Sequence, residues 1–227
     1  MRQCYINPMV KAKHLKTNYT WETRRPHIQD NILFVPDYFD EHQAFSESFL
    51  PPDQPISIEF CSGNGEWIIE KAKAYPDRTW VAVEMQFARV RKIWSKSQNA
   101  GLKNLFIVCG KAQIFSKFYL DASQVNEIYV NFPDPWPKKR HAKHRLIQPE
   151  FVKEMERIAS PDATAAFVTD DAPYADQMHT IMQDASGWDV IQNSVLTDSH
   201  GPSFFDRLWR GKGRTIRKVE AICTKST

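Results

Sequence analysis

The densest run of chemically capable side chains is residues 131–145, Asn-Phe-Pro-Asp-Pro-Trp-Pro-Lys-Lys-Arg-His-Ala-Lys-His-Arg. It presents one carboxylate (Asp134), one indole (Trp136) and seven Lys, Arg and His residues in the eight positions 138–145. Pro133, Pro135 and Pro137 lack backbone donors and fix φ, so the stretch can join neither helix nor sheet and reads as a stiff loop. A carboxylate, a ring for stacking and a cationic run suit a base carried on a polyanion. A second cluster is residues 59–65, Glu-Phe-Cys-Ser-Gly-Asn-Gly. Gly63 and Gly65 let the backbone turn tightly and approach a ligand where a Cβ would collide. Glu59 is placed to meet an ammonium group. Glu84 follows Gly65 by 19 residues, where a carboxylate can bind both hydroxyls of a ribose.

These groups need a frame, and alternating patterns supply it. Strands are expected at 56–60, 79–84, 104–109, 127–132 and 164–169, with helices at 65–75, 87–99, 148–158 and 173–184. Two last strands, 188–194 and 215–223, follow with no helix between them. Repeated βα alternation predicts an α/β, Rossmann-like fold: a mostly parallel seven-stranded sheet with helices on both faces. The last two strands should pair antiparallel at one edge. Residues 1–50 lack a clear period and read as a basic N-terminal arm with at most one short helix, leaving 51–227 as the domain. Ligands of such sheets sit beyond the carboxyl ends of the strands, where Glu59, Glu84 and the proline loop fall. A dinucleotide fingerprint would need a glycine where Ile68 stands, and no acid at Glu59. The pattern suits S-adenosylmethionine better than NAD.

Composition narrows the partner. The net charge is only +3, yet 17 of the 30 Lys and Arg lie in residues 1–25, 138–145 and 207–218, together with one of the 27 acids, Glu22. Each segment has a tryptophan in or beside it: Trp21, Trp136 and Trp209. Cationic patches with aromatics on an otherwise acidic globule point to nucleic acid. Cys4, Cys61, Cys109 and Cys223 form no CxxC pair, against a zinc site or a disulfide framework and in keeping with a reducing cytoplasm. No signal peptide or membrane span is expected.

The loop closely resembles the FxDPWxKxRHxKRR segment of the bacterial tRNA (guanine-N7)-methyltransferase family. The resemblance extends to Glu59 with its glycine loop, Ala82-Val83-Glu84, Thr169-Asp170 and Pro202-Ser203-Phe204-Phe205-Asp206, covering roughly residues 50–220. It implies that Glu59, Glu84, Asp134 and the pair Lys111-Ala112 line the adenosylmethionine site, and that Asp134 is catalytic. It implies substrate contacts from Lys138, Asp170, Ser203, Phe204, Phe205 and Asp206. Arg140, His141, Ala142, Lys143, His144 and Arg145 match an RNA-contacting segment. Three positions depart from the family: Cys61 for a glycine, Lys111 for an acid, and Ser203 with Asp206 for a Thr-x-x-Glu pair. Lys111 can only donate, so its side chain is expected to swing to solvent.

The chemistry fits the residues. Guanine N7 has a lone pair and no hydrogen, so it can attack a sulfonium methyl without a general base. The protein must supply alignment and a field that tolerates the cationic product. Asp134 and Asp170 can divide two roles, accepting from the guanine N1–H and N2–H and offsetting charge, in either assignment. Trp136 can stack on the base or brace the loop. The rival classes are an amino-group methyltransferase, which would need no basic tract, and a catalytically weakened RNA-binding protein of the same fold. Monomer and homodimer both stay open.

Overall fold

A computed structural model describes residues 9–16, 25–37, 49–51 and 54–225. Nine strands form one sheet: β1 (His27–Gln29), β2 (Ile32–Phe34), β3 (Ile56–Phe60), β4 (Thr79–Glu84), β5 (Leu105–Cys109), β6 (Val125–Asn131), β7 (Ala159–Thr169), β8 (Trp188–Val195) and β9 (Arg217–Cys223). Their order is β1-β2-β5-β4-β3-β6-β7-β9-β8. The helices are α1 (Glu66–Ala74), α2 (Phe87–Ala100), α3 (Ala112–Tyr119), α4 (Pro149–Ile158), α5 (Ala172–Asp184) and α6 (Phe204–Gly211). The Rossmann-like α/β expectation holds.

The central strands read as unbroken apolar runs because helices cover both faces. Every residue of β3 and β4 is buried. Alternate β4 side chains feed different cores. Val81 and Val83 join Phe115 of α3, Phe151 of α4 and Tyr174 of α5. Trp80 and Ala82 join Ile68 of α1 and Ile93 of α2. Strand order reverses at β3, whose parallel neighbours are β4 and β6. The carboxyl ends of these three strands therefore converge.

Three features differ from the sequence reading. The sheet has nine strands because the hairpin β1–β2 from the basic arm adds to it, β2 running parallel to β5. The last two strands do pair antiparallel, but β9 also pairs antiparallel with β7, so the reversed strand lies second from that edge. They are also not joined without a helix, since α6 lies between them, and α3 was likewise unforeseen. Both are eight residues long, about two turns, too short for a helical period to stand out.

Other described parts of the arm are docked as well. Val10 and Asn99 of α2 exchange two hydrogen bonds of 2.8 Å, Arg91 Nε donates to the Ala12 carbonyl, and Leu15 is buried. Lys11, Lys13, Lys16 and Arg25 stay exposed, while Trp21, Glu22 and Arg24 lie outside the described residues. Among the described residues, no helix is long and apolar enough to cross a membrane.

The hairpin is keyed to the sheet at Gly110, where an added Cβ would lie 2.7 Å from the Val35 Cβ and 3.0 Å from its carbonyl oxygen. Backbone cannot yield as a flexible side chain can. Gly110→Ala should destabilise the protein by about 1–3 kcal/mol in urea unfolding. A wild-type midpoint would mean that the arm is not seated on β5.

Candidate active site

The site is built around Glu59, the penultimate residue of β3, which is 2% exposed. Its Oε1 accepts from Asn131 Nδ2 at 2.8 Å. Its Oε2 is buried and, among the described residues, has no hydrogen-bond partner. Asn131 ends β6, and its Oδ1 lies 2.8 Å from His200 Nε2. Since Asn131 donates to Glu59, its oxygen must accept, so His200 carries its proton on Nε2. The His200 ring stacks on Trp67 at 5.6 Å, and burial pushes its pKa down to about 4, which keeps it neutral. Burial pushes Glu59 up to about 8; the Asn131 amide opposes the rise, and the Glu84 charge adds to it.

The loop after β3 is turned by three left-handed residues: Cys61 (φ 63), Gly63 (φ 55) and Gly65 (φ 73). Cys61, the departure from the family's glycine, therefore holds a conformation that favours glycine, at a cost of roughly 1–2 kcal/mol. Its thiol is pushed up to about 12, first by burial and then by the Glu84 charge, so it is no nucleophile. At Gly65 an added Cβ would strike Ile93 at 2.7 Å. Gly63 N–H donates to Glu84 Oε2 at 3.0 Å, and Gln86 N–H to Glu84 Oε1 at 2.8 Å. The Glu84 carboxylate is thereby aimed at the loop with lone pairs to spare. Phe205 packs above the turn, 3.2 Å from where a Gly63 Cβ would lie, and against Phe132 and Arg89. Lys111 caps α3, which starts at Ala112. Its side chain is half-exposed but not free: Nζ is paired with Asp37 Oδ2 at 2.8 Å.

Beyond β6 the chain turns through Phe132 (φ 49) and Trp136 (φ 43). Asp134 is exposed, and its Oδ1 accepts from the Trp136 N–H at 3.3 Å. Trp136 is 36% exposed, its ring against His144 at 5.2 Å and His141 at 5.9 Å. Lys138, Arg140, Lys143 and His144 are exposed. Ala142 lies in the same 3-10 turn, Lys139–His144, and its carbonyl accepts from the Gln148 side chain. Arg145 stands apart from the rest of this run. It is buried, and its guanidinium is spent inside the protein on the Pro135 carbonyl and on Gln177.

Three further expected contacts are already engaged. Asp170, at the end of β7, is nearly buried and ion-paired with Arg214, which also lies over Trp209. Ser203 caps α6 by accepting from the Asp206 N–H. Asp206 is 1% exposed and binds Arg210 and Ser199. In this arrangement their polar atoms fasten α6; half-buried Phe205 packs beside the glycine turn, and Phe204 is exposed next to it. Sequence reasoning passed over Asn131, His200 and Arg214. Asn131 stood inside the quoted loop, but a lone His or Arg distant in sequence carries no periodic signal.

A Rossmann-like sheet with an acid–glycine–acid edge and no dinucleotide fingerprint defines a nucleoside-cofactor methyltransferase. The family described as "Putative methyltransferase" matches residues 53–217. The chain is 43% identical over 219 residues to the tRNA (guanine-N(7)-)-methyltransferase of Chlamydia pneumoniae, covering 94% of this chain and 98% of that protein. It is 31% identical to the enzyme of that name from Latilactobacillus sakei, covering 85% and 91%. The chain belongs to the tRNA (guanine-N7)-methyltransferase family. Among solved structures, a 16S rRNA methyltransferase, KamB, shares the fold at TM-score 0.58 and 17% identity, over 77% of this chain and 90% of that one. A SAM-dependent methyltransferase from Aquifex aeolicus does so at 0.54 and 18%, over 75% and 82%.

The methyl donor is S-adenosylmethionine, and the residues fit it. The unpartnered Glu59 oxygen suits the ammonium of its methionine end, the glycine turn admits its backbone, and Glu84 suits its ribose. An ammonium beside Glu59 favours the carboxylate, so the pKa must fall from about 8 when the ligand binds. Affinity should therefore rise with pH, by about tenfold from pH 6 to 7, a range in which the ligand's own ammonium stays charged. Titration calorimetry with adenosylhomocysteine reads this directly. Glu59→Gln should flatten the slope, and a flat wild-type profile would remove Glu59 from the ammonium.

Proposed function

We propose that this chain transfers a methyl group from S-adenosylmethionine to N7 of a guanine in the variable loop of tRNA, in the cytoplasm. The observation that carries the reading is the placement of Asp134. It is an exposed carboxylate on a proline-stiffened loop, one strand over from Glu59, and exposed cations follow it directly. The names of the relatives supply the substrate class.

Bound S-adenosylmethionine offers a sulfonium methyl, and the guanine N7 lone pair forms the new bond while the S–C electron pair stays on sulfur. No proton leaves, which agrees with a site whose half-buried His200 is neutral and occupied by Asn131. The chain's task is to hold the base edge in line and tolerate the charge that forms on it. Asp134 is free to accept from the guanine N1–H and N2–H or to lie near the new cation. Asp170 can take the other part once Arg214 turns to a phosphate. Trp136 with His141 and His144 offers an aromatic platform beside Asp134, and Lys138, Arg140 and Lys143 follow the RNA backbone. N7 of a paired guanine lies in a deep, narrow groove, so the target base must be in a loop or turned out.

Labelled methyl transfer to bulk tRNA, followed by nucleoside analysis, tests the reaction: 7-methylguanosine should be the labelled product, and label in any other base would overturn the reading. Asp134→Asn, which keeps size and removes charge, should lower kcat by about a hundredfold while S-adenosylmethionine affinity changes little. Equal losses in both would reduce Asp134 to a cofactor ligand.

A further inference from the structure

Arg145 closes a cationic run and on charge alone would be read as a phosphate contact. Its surroundings say otherwise. The residue is 8% exposed. Nε donates to the Pro135 carbonyl at 2.7 Å, and Nη1 donates to Gln177 Oε1 at 2.6 Å. Nη2 lies 3.7 Å from Asp171 Oδ1. The guanidinium carbon sits 4.8 Å from the centre of the Tyr174 ring.

Each partner is itself fixed. Gln177 donates to the Ile147 carbonyl, and the Tyr174 hydroxyl accepts from the Ile147 N–H. Asp171 caps α5 by accepting from the Tyr174 N–H. Arg145 thus sits in a rigid cage at the start of α5 and reaches back ten residues to the centre of the proline loop.

That reach matters because of the prolines. Residues 133–137 have backbone N–H groups only at Asp134 and Trp136, and the Trp136 N–H is turned inward to Asp134. Among the described residues, the bond from Arg145 to the Pro135 carbonyl is the one hydrogen bond from this stretch to the rest of the protein, beside the ring contacts of Trp136 with His141 and His144 and the burial of Pro133. Pro135 directly follows Asp134 and precedes Trp136, so fixing its carbonyl fixes where both side chains point.

We infer that Arg145 is a positioning residue that holds Asp134 and Trp136 in their catalytic places through the Pro135 carbonyl, and that it does not contact tRNA. The inference rests on the role of Asp134 given above. Lysine cannot replace it, because an ammonium lacks the planar fork needed for the carbonyl, the amide and the ring face together.

The test compares Arg145→Lys, Arg145→Ala and Arg140→Ala at a temperature well below unfolding, by single-turnover methyl transfer to tRNA and by tRNA binding over a range of salt. Both Arg145 variants should lose at least tenfold in the rate at saturating tRNA. Their tRNA affinity should stay within about twofold, with a log–log salt slope equal to that of the wild type. Arg140→Ala should instead lower that slope by about 0.7 to 0.9. Methylguanidinium should restore part of the rate to Arg145→Ala and none to Arg140→Ala.

A wild-type rate in Arg145→Lys would overturn the inference, as would a reduced salt slope in either Arg145 variant. If Arg145→Ala fails to fold, Arg145→Lys and Gln177→Ala decide, the latter expected to lose rate without altering the slope. If the wild-type chain itself makes no 7-methylguanosine, the proposed reaction fails, and the salt slope still decides whether Arg145 touches RNA.

Discussion

The hydrogen bond from Asn131 Nδ2 to Glu59 Oε1 crosses between the two central parallel strands, and both halves of the site hang on it. On one side Glu59 keeps its second carboxylate oxygen unpartnered among the described residues, at the carboxyl end of β3. On the other, Asn131 is the last residue of β6 before the chain enters the proline loop. An amide has a donor and an acceptor end, and both are spoken for, by Glu59 and by His200. Its orientation cannot invert without breaking two hydrogen bonds, one buried and one part-buried, each costly to leave unmade. The result is a carboxylate with one oxygen used and one kept available. The spacing between Glu59 and the proline loop is thereby tied to the register of β3 on β6, the stiffest measure a sheet provides.

Much of this was legible from residue order. The carboxyl ends of β3, β4 and β6 were placed by apolar runs of strand length, and the acids and glycines at those ends followed. The short elements were not legible. α3 and α6 each span about two turns, and the β1–β2 hairpin has three residues a side, all below the length at which a period shows. Within the site, types at fixed offsets could be read, so Glu59, Gly63, Gly65, Glu84 and Asp134 were. Partners that meet only through folding could not, and Asn131 with His200, Lys111 with Asp37 and Asp170 with Arg214 belong to that group.

Lys111 and Cys61 show how a departure from a family pattern can be absorbed. Lys111 removes an acceptor from the end of β5, yet the folded arm brings Asp37 to it, so the local charge is balanced and a carboxylate stands nearby after all. Cys61 keeps the left-handed turn of the glycine it replaces, at the cost of strain. The neighbouring backbone holds that turn, with the Ser62 N–H on the Val83 carbonyl and the Gly65 N–H on the Ser62 carbonyl. Neither change dismantles the cofactor edge, which weighs against a protein that kept only the fold.

Charge density in a sequence counts cations without saying which of them reach solvent. In residues 138–145 Lys138, Arg140 and Lys143 are exposed, Arg140 donating to the His141 ring at 3.2 Å. Arg145 cannot reach a phosphate without abandoning a carbonyl, an amide and a ring face. The same division holds near the C-terminus, where Arg210 is consumed by Asp206 and by the carbonyls of Leu196, Thr197 and Asp198. Lys212 and Arg214 lie exposed over Trp209, Arg214 also pairing with Asp170. A positive segment in this chain therefore does two jobs at once. Its engaged arginines, buried Arg145 and half-buried Arg210, use their planar forks to fix the carbonyls of neighbouring loops, and its exposed cations lie on the surface beside them.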